Sequence, residues 1–375
     1  MTHRERYRET LLFGSPDRIP FSPGGPREST RARWKTEGLE DPTRYMDAVY
    51  EILGFRPDPP RKPGVGLGVS FQMIPKFEEK VLEHKDGHYI VRDWMGAITE
   101  ISDQYDYTYI RSAKDFVTRK WHKFPVETRG DWEAMKGRFD PGARGRFPED
   151  FEARCERNRD RDTVVSVHFN GPFWQMREWC GFEGLCLKMI EEPEFVAEMA
   201  RFWADFVSAT LQPILDRVEL DAIGISEDMA FKEHSMISPA MARRFLEPAY
   251  EQWVDASRRC GVAIVDMDSD GRVDELIPIW IESGINVSDP MEVAAGNDIL
   301  DYRRRFGRRM AYKGGVDKRA IAKGGEVVEA EIERVRPVVE DGGYLPGCDH
   351  GVPHDISWPH FVEYARLLAR VTGWL

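Results

Sequence analysis

The 375-residue sequence has no unbroken apolar run of the roughly 18 residues that a membrane-spanning helix needs, so no span is expected. It also lacks a surplus of positive charge: 53 Lys and Arg stand against 65 Asp and Glu, a formal net charge of −12. A surface of that sign repels phosphate backbones and anionic lipid, which excludes nucleic acid and the membrane surface as partners. Cysteine is scarce. The five residues Cys155, Cys180, Cys186, Cys260 and Cys348 form no CxxC pair, which reads as reduced thiols in the cytoplasm rather than a disulfide framework. The opening segment MTHRERYRETLLFGSPDR is charged almost throughout and has no apolar core, so no secretory leader is expected. Internal repeats and low-complexity tracts are absent too. What remains, 41% hydrophobic and 31% charged, carries enough apolar surface for a folded core and excludes a mainly disordered chain.

The second half of the chain has a clear rhythm. Short apolar runs recur at Val164–Val167, Ala222–Ile225, Val262–Val265, Ile285–Val287, Met310–Tyr312 and Tyr344–Leu345. Amphipathic segments of helical length lie between them, at Glu194–Val218, Pro239–Arg259 and Val273–Ser283. Such alternation implies a parallel sheet with helices on its faces. Six units here, with room for two earlier, predict a single α/β domain over residues 1–375, a (β/α)₈ TIM barrel. No GxGxxG follows a strand-like run, which weakens the alternative of an open doubly wound sheet. Ser238-Pro239 and Glu192-Pro193 punctuate helix starts, and Gly284 and Gly307 fall where helices should stop.

The first part reads differently. Residues 56–66, RPDPPRKPGVG, are a Pro-rich connector. Residues 80–110 alternate polar and apolar around a turn at Asp86-Gly87, predicting antiparallel hairpins within an insertion at about 70–115 that could roof one end of the barrel. The charged stretch 140–162 is expected to be an exposed crossing.

Three loops carry candidate chemistry. In Asp266-Met267-Asp268-Ser269-Asp270-Gly271, alternate residues share a face, so Asp268 and Asp270 can converge. The spelling suggests an EF-hand, but Ile277 stands where the closing Glu belongs and a strand precedes the loop. A solvated acidic turn and a functional site are both open readings. Gly347–His354 places Cys348, Asp349, His350 and His354 in a Gly/Pro-framed loop suited to metal binding or proton transfer, or to a rigid surface loop. Glu227 and Asp228 follow the second run, Ala222–Ile225, where they could act on substrate or cap a helix. His168 and Asn170 lie at another strand tip.

An ordered set of short motifs resembles the uroporphyrinogen decarboxylase superfamily, in particular its methyltransferase branch. It comprises Gly14–Pro20, Asn170-Gly171-Pro172 with Gly181–Gly184, Ile237-Ser238-Pro239 with Phe245–Tyr250, Asp270-Gly271 with Leu276-Ile277-Pro278, Gly314–Asp317, and the Gly343…His350…Pro353 loop. The resemblance spans nearly the whole chain and implies a (β/α)₈ barrel. The decarboxylases hold a polycarboxylated tetrapyrrole with an N-terminal Arg cluster, of which only Arg27 remains here, so porphyrin decarboxylation is not expected. The methyltransferases carry a His-x-Cys pair and a later Cys as zinc ligands and exchange the methyl group with a corrinoid protein. On that pattern the ligands become Asp268, Asp270 and His350. Two carboxylates and one imidazole are a harder donor set, suited to zinc, manganese or iron(II) and an oxygen-bearing small-molecule substrate.

The resemblance therefore implies a methyltransferase (demethylase) that passes a methyl group from a small O- or N-methylated compound to a separate corrinoid protein. Glu227, Asp228 and His168 would be catalytic, and Asn170, Lys313, His354 and Arg27 would bind substrate. The chain has no D-x-H-x-x-G motif to hold a corrinoid itself. The alternative is a decarboxylase or lyase for a small acid, with Lys313 and Arg27 on its carboxylates; a non-catalytic carrier of a metabolite is a third reading. A homo-oligomer is open.

Overall fold

The computed structural model describes residues 1–108 and 118–375, so the last two residues of the expected hairpin stretch and the end of the expected insertion lie outside the described residues. The apolar runs form six parallel strands: β5 (Ser166–Asn170), β6 (Ala222–Ser226), β7 (Ile264–Asp268), β8 (Val287–Asp289), β9 (Ala311–Val316) and β10 (Tyr344–Cys348). Most begin a residue or two into the apolar run and continue to a polar tip, because the ladder carries the backbone past the last buried side chain.

Their order in the sheet is the order of the chain. A doubly wound sheet reverses order at a switch point, so this sheet is singly wound. The described ladders join six strands and do not by themselves complete a ring of eight. Beside the β10 edge, Cys348 N–H donates to Pro23 O (3.4 Å) and Val352 N–H to Gly25 O (2.9 Å). Near the β5 edge, the Phe71 ring lies 5.1 Å from that of Phe169. Two extended stretches of the N-terminal part thus flank the sheet.

Helix Pro193–Leu215 buries Phe195, Met199, Phe206 and Leu211 on one face, spaced near the 3.6-residue helical period, with Phe202 partly buried beside them. The expected Pro239–Arg259 segment is two helices, Pro239–Phe245 and Glu247–Arg259, broken ahead of Pro248. Ser238 caps the first by accepting from Met241 N–H. No described helix is long and apolar enough to cross a membrane.

The N-terminal alternation forms an antiparallel sheet of β1 (Lys80–Lys85), β2 (His88–Arg92), β3 (Ile98–Ser102) and β4 (Arg119–Lys123), in that order. Asp86 (φ 51°) and Gly87 (φ 74°) make the two-residue turn between β1 and β2, both in the left-handed region that matches strand twist.

The 140–162 stretch corrects its expectation. It contains helix Phe151–Arg157, and Arg146, Asn158 and Arg161 within it are buried. Arg146 donates to the carbonyls of Ser70 (2.9 Å) and Asp140 (3.0 Å). Its charge serves loop carbonyls that would otherwise lack donors. Arg161 pairs with buried Asp221 at 2.7 Å, and Arg4 from helix His3–Leu11 reaches the same carboxylate at 2.6 Å.

Candidate active site

In a parallel sheet of this kind the strand C-termini face one rim, and the polar tips collect there. Register puts Asn170, Ser226, Asp268 and Asp289 side by side across β5 to β8, with His168, Gly224 and Asp266 one step below. Gly224 is required by close approach: a Cβ there would sit 2.1 Å from His168 Nδ1. His168 accordingly faces the space above the sheet, its Nε2 3.1 Å from Ser166 Oγ. Burial holds its pKa below the ordinary value, so it is neutral at pH 7.

Lys313 crosses this floor. Its Nζ lies 2.6 Å from Asp266 and 2.7 Å from Asp289. Burial acts to lower its pKa, but the two carboxylates outweigh it and hold the ammonium well above its usual value. A lysine so engaged is not available to a substrate carboxylate.

Asp268 accepts from Ser226 Oγ at 3.1 Å. Burial, with Asp289 and Asp228 nearby, pushes its pKa up to about 7. Asp228 sits at φ 42°, a left-handed conformation that aspartate tolerates better than most residues, and its Oδ1 accepts from Asp270 N–H (3.3 Å). Arg177 donates to its carbonyl at 2.8 Å.

Glu227 turns away from this space. Its side chain is fully buried, accepting hydrogen bonds from Trp174 N–H (2.9 Å) and the Tyr250 hydroxyl. It therefore caps helix Pro172–Cys180, which precedes it in the chain. Burial raises its pKa to about 7 despite those donors.

The metal-ligating residue types meet above β7 and β10. Asp270, Glu292 and His350 each offer an atom within 4.8 Å of the others, the one such group among the described residues. His350 Nε2 is 3.2 Å from Asp270 and its Nδ1 3.0 Å from Arg27. The Asp270 hydrogen bond raises the His350 pKa against burial, which lowers it. Arg27 can only donate, so its contact selects the tautomer protonated at Nε2. Glu292 accepts from Gly271 N–H and from Lys318 Nζ, both at 3.0 Å.

Of the sequence candidates, Asp270 and His350 are brought together, while Asp268 lies outside their group, with Ser226. His354 is exposed, and its carbonyl accepts from Arg33 at 2.8 Å. Glu292, Asp289 and Glu178 escaped the reading. Asp289 ends β8 and Glu292 follows it, so that Asp289-Pro290-Met291-Glu292 places acids at a strand end, a usable signal; Glu178 sits inside a helix and gives none.

Two cavities differ in chemistry. The larger, about 930 Å³, lies at the opposite end of the strands between Tyr50, Pro57, Val164 and Trp374. Its charges are spent on ordinary pairs such as Arg6–Asp17 (2.7 Å) and Arg56–Asp47 (3.1 Å). The smaller, about 480 Å³, opens at the rim beside β5, with His168 and Asn170 on one side and Trp94, from the bend between β2 and β3, on another. This rim holds both the cavity, lined by His168, Asn170 and Glu178, and the group of Asp270, Glu292 and His350, which lies outside the cavity lining.

No protein-family profile matches the chain. No curated protein matches it either. Among solved structures, a methyltransferase from Methanosarcina mazei is similar at a TM-score of 0.58 and 14% identity, over 100% of this chain and 98% of that one. A B12-independent methionine synthase from Shewanella sp. W3-18-1 covers 95% of this chain and 97% of that one at 12% identity, but its TM-score of 0.40 is too low to inform the fold. The first likeness shows a shared mixed α/β fold over the whole length of both chains.

Proposed function

We propose that this chain is a methyltransferase whose sheet closes, with the two N-terminal extended stretches, into a (β/α)₈ barrel. It takes a methyl group from a small methylated compound and passes it to a corrinoid on a separate protein. The observation that carries this reading is the meeting of Asp270, Glu292 and His350 at the strand tips, on a fold shared with a methyltransferase.

The donor set fits a divalent cation: two carboxylates and an imidazole suit zinc, manganese or iron(II). Lys318 and Arg27 hold the carboxylate and imidazole meanwhile. Ligation by Nε2 would require its proton to leave and Arg27 to release Nδ1. When bound, the ion would supply Lewis acidity to an oxygen, or to a neutral nitrogen with a free lone pair, beside the methyl group. The chain's own residues do the rest. Neutral His168 and the amide of Asn170 orient substrate. Asp268, with its raised pKa, can hold a proton near neutrality, and Asp228 fixes the Asp270 backbone. The lyase reading loses support because Lys313 is neutralised by Asp266 and Asp289.

The test is metal analysis of the purified protein together with transfer of labelled methyl from ether and amine donors to a corrinoid acceptor. Asp270→Ala and His350→Ala are expected to lower bound metal and turnover by at least about 100-fold while leaving the fold intact. Full turnover in chelated, metal-free protein would overturn the metal assignment, and decarboxylation of a small acid without methyl transfer would overturn the reading itself.

A further inference from the structure

The 480 Å³ cavity beside β5 has a wall made of Phe71, Trp94, Trp174 and Trp203, with Glu178 set among them. Glu178 is held by neutral donors alone: Trp174 Nε1–H at 2.8 Å, Gln175 at 3.2 Å and Asn170 at 3.4 Å. No ion pair reaches it among the described residues. The nearest cations, Arg177 and Arg119, act on it through space without a hydrogen bond or ion pair to it. Arg177 binds the Asp228 carbonyl at 2.8 Å and lies over the Trp174 ring, while Arg119 stacks on Trp121 at 4.4 Å. His168, on the cavity's floor, is neutral. An enclosed carboxylate without a contacting cation is costly: burial raises the Glu178 pKa, and a counter-charge in the cavity would offset that cost.

We propose that this cavity binds a methylated ammonium cation, with Glu178 as its counter-ion and the tryptophan-lined wall around its methyl groups. Rings of this kind attract cations through their negative faces and cover methyl groups at little desolvation cost. Trp94 and Trp174 each already stack a cation, Lys76 at 4.6 Å and Arg177 at 4.9 Å. That weakens each ring's hold on another, so the carboxylate supplies the charge recognition. An anionic substrate would meet Glu178 with no cation to answer it, and a neutral ether would leave the carboxylate unpaired. The cavity adjoins the strand tips through His168 and Asn170, which line both. That the bound cation is the methyl donor rests on the function proposed above, with the positive nitrogen, which has no lone pair for a metal, leaving as the neutral amine; that a cation binds does not.

The experiment is calorimetric titration of the full chain with choline and with dimethylbutanol, the isostere in which carbon replaces the charged nitrogen. Choline is expected to bind at least about tenfold more tightly. Glu178→Gln should remove that advantage while leaving dimethylbutanol binding unchanged. Equal affinity for the two in the unaltered protein would overturn the proposal, and this comparison stands even if the variant does not fold. Preference for methoxybenzoate, or an undiminished choline preference in a folded Glu178→Gln protein, would overturn it as well. Choline discrimination without methyl transfer from any donor would sink the methyltransferase reading alone. Methyl transfer from an ether without choline discrimination would sink the cation site alone.

Discussion

Glu227 shows how burial changes what a residue does. Two adjacent carboxylates at a strand tip look equivalent in sequence, yet Glu227 is fully buried and Asp228 is not. A carboxyl that ionises near 4.5 in the unfolded chain ionises near about 7 in the folded one. Between those values the folded state holds more protons, so this residue's contribution to stability falls as pH rises through the window. Its size is about 3 kcal/mol. Denaturant midpoints of the native protein and Glu227→Gln across that range should therefore diverge, the native protein losing relative stability toward alkaline pH. A constant offset would show that Glu227 does not titrate in that window. Gly224 makes a second residue-scale case. Gly224→Ala puts a methyl group against His168 and should cost about 1–3 kcal/mol while shifting the His168 ring resonances. Unchanged resonances would mean that the ring is not held where the structure places it.

At the scale of elements, the hairpin sheet matters through one bend. The Asp93 carboxylate accepts from the N–H groups of Met95 and Ala97, both at 3.0 Å, and so shapes the turn that presents Trp94 to the cavity. Asp93→Ala leaves two buried donors unmet, at a cost of about 1–3 kcal/mol. Hydrogen exchange at those two amides should accelerate, and ligands of the cavity should bind more weakly. Asp93→Asn, which keeps an acceptor, should restore part of both. Protection unaltered by Asp93→Ala would rule out this role for the turn.

Across the whole molecule, Asp221 ties distant parts together. It precedes β6, receives Val165 N–H at 2.9 Å, and pairs with Arg161 and with Arg4 of the first helix. Asp221→Ala would strand the buried Arg161 guanidinium and release the helix, a loss of about 3–5 kcal/mol. The thermal midpoint should fall measurably, with the first helix exchanging hydrogen faster. An unchanged midpoint would mean that the pairs are not coupled to global stability.

The sequence by itself determined the strands, the helices between them, the Asp86-Gly87 turn and the acids and histidines at the strand tips. All of these follow from patterns within a few residues, where apolar spacing and backbone preference act. Tertiary structure decided the rest. Lys313 became the partner of Asp266 and Asp289, and the charged 140–162 stretch was drawn inward to serve loop carbonyls. Glu292 joined Asp270 and His350, two residues that lie 80 positions apart. Which charge meets which, and how far water is excluded from them, depends on distances through space. Those distances exist only once the strands have taken their order in the sheet.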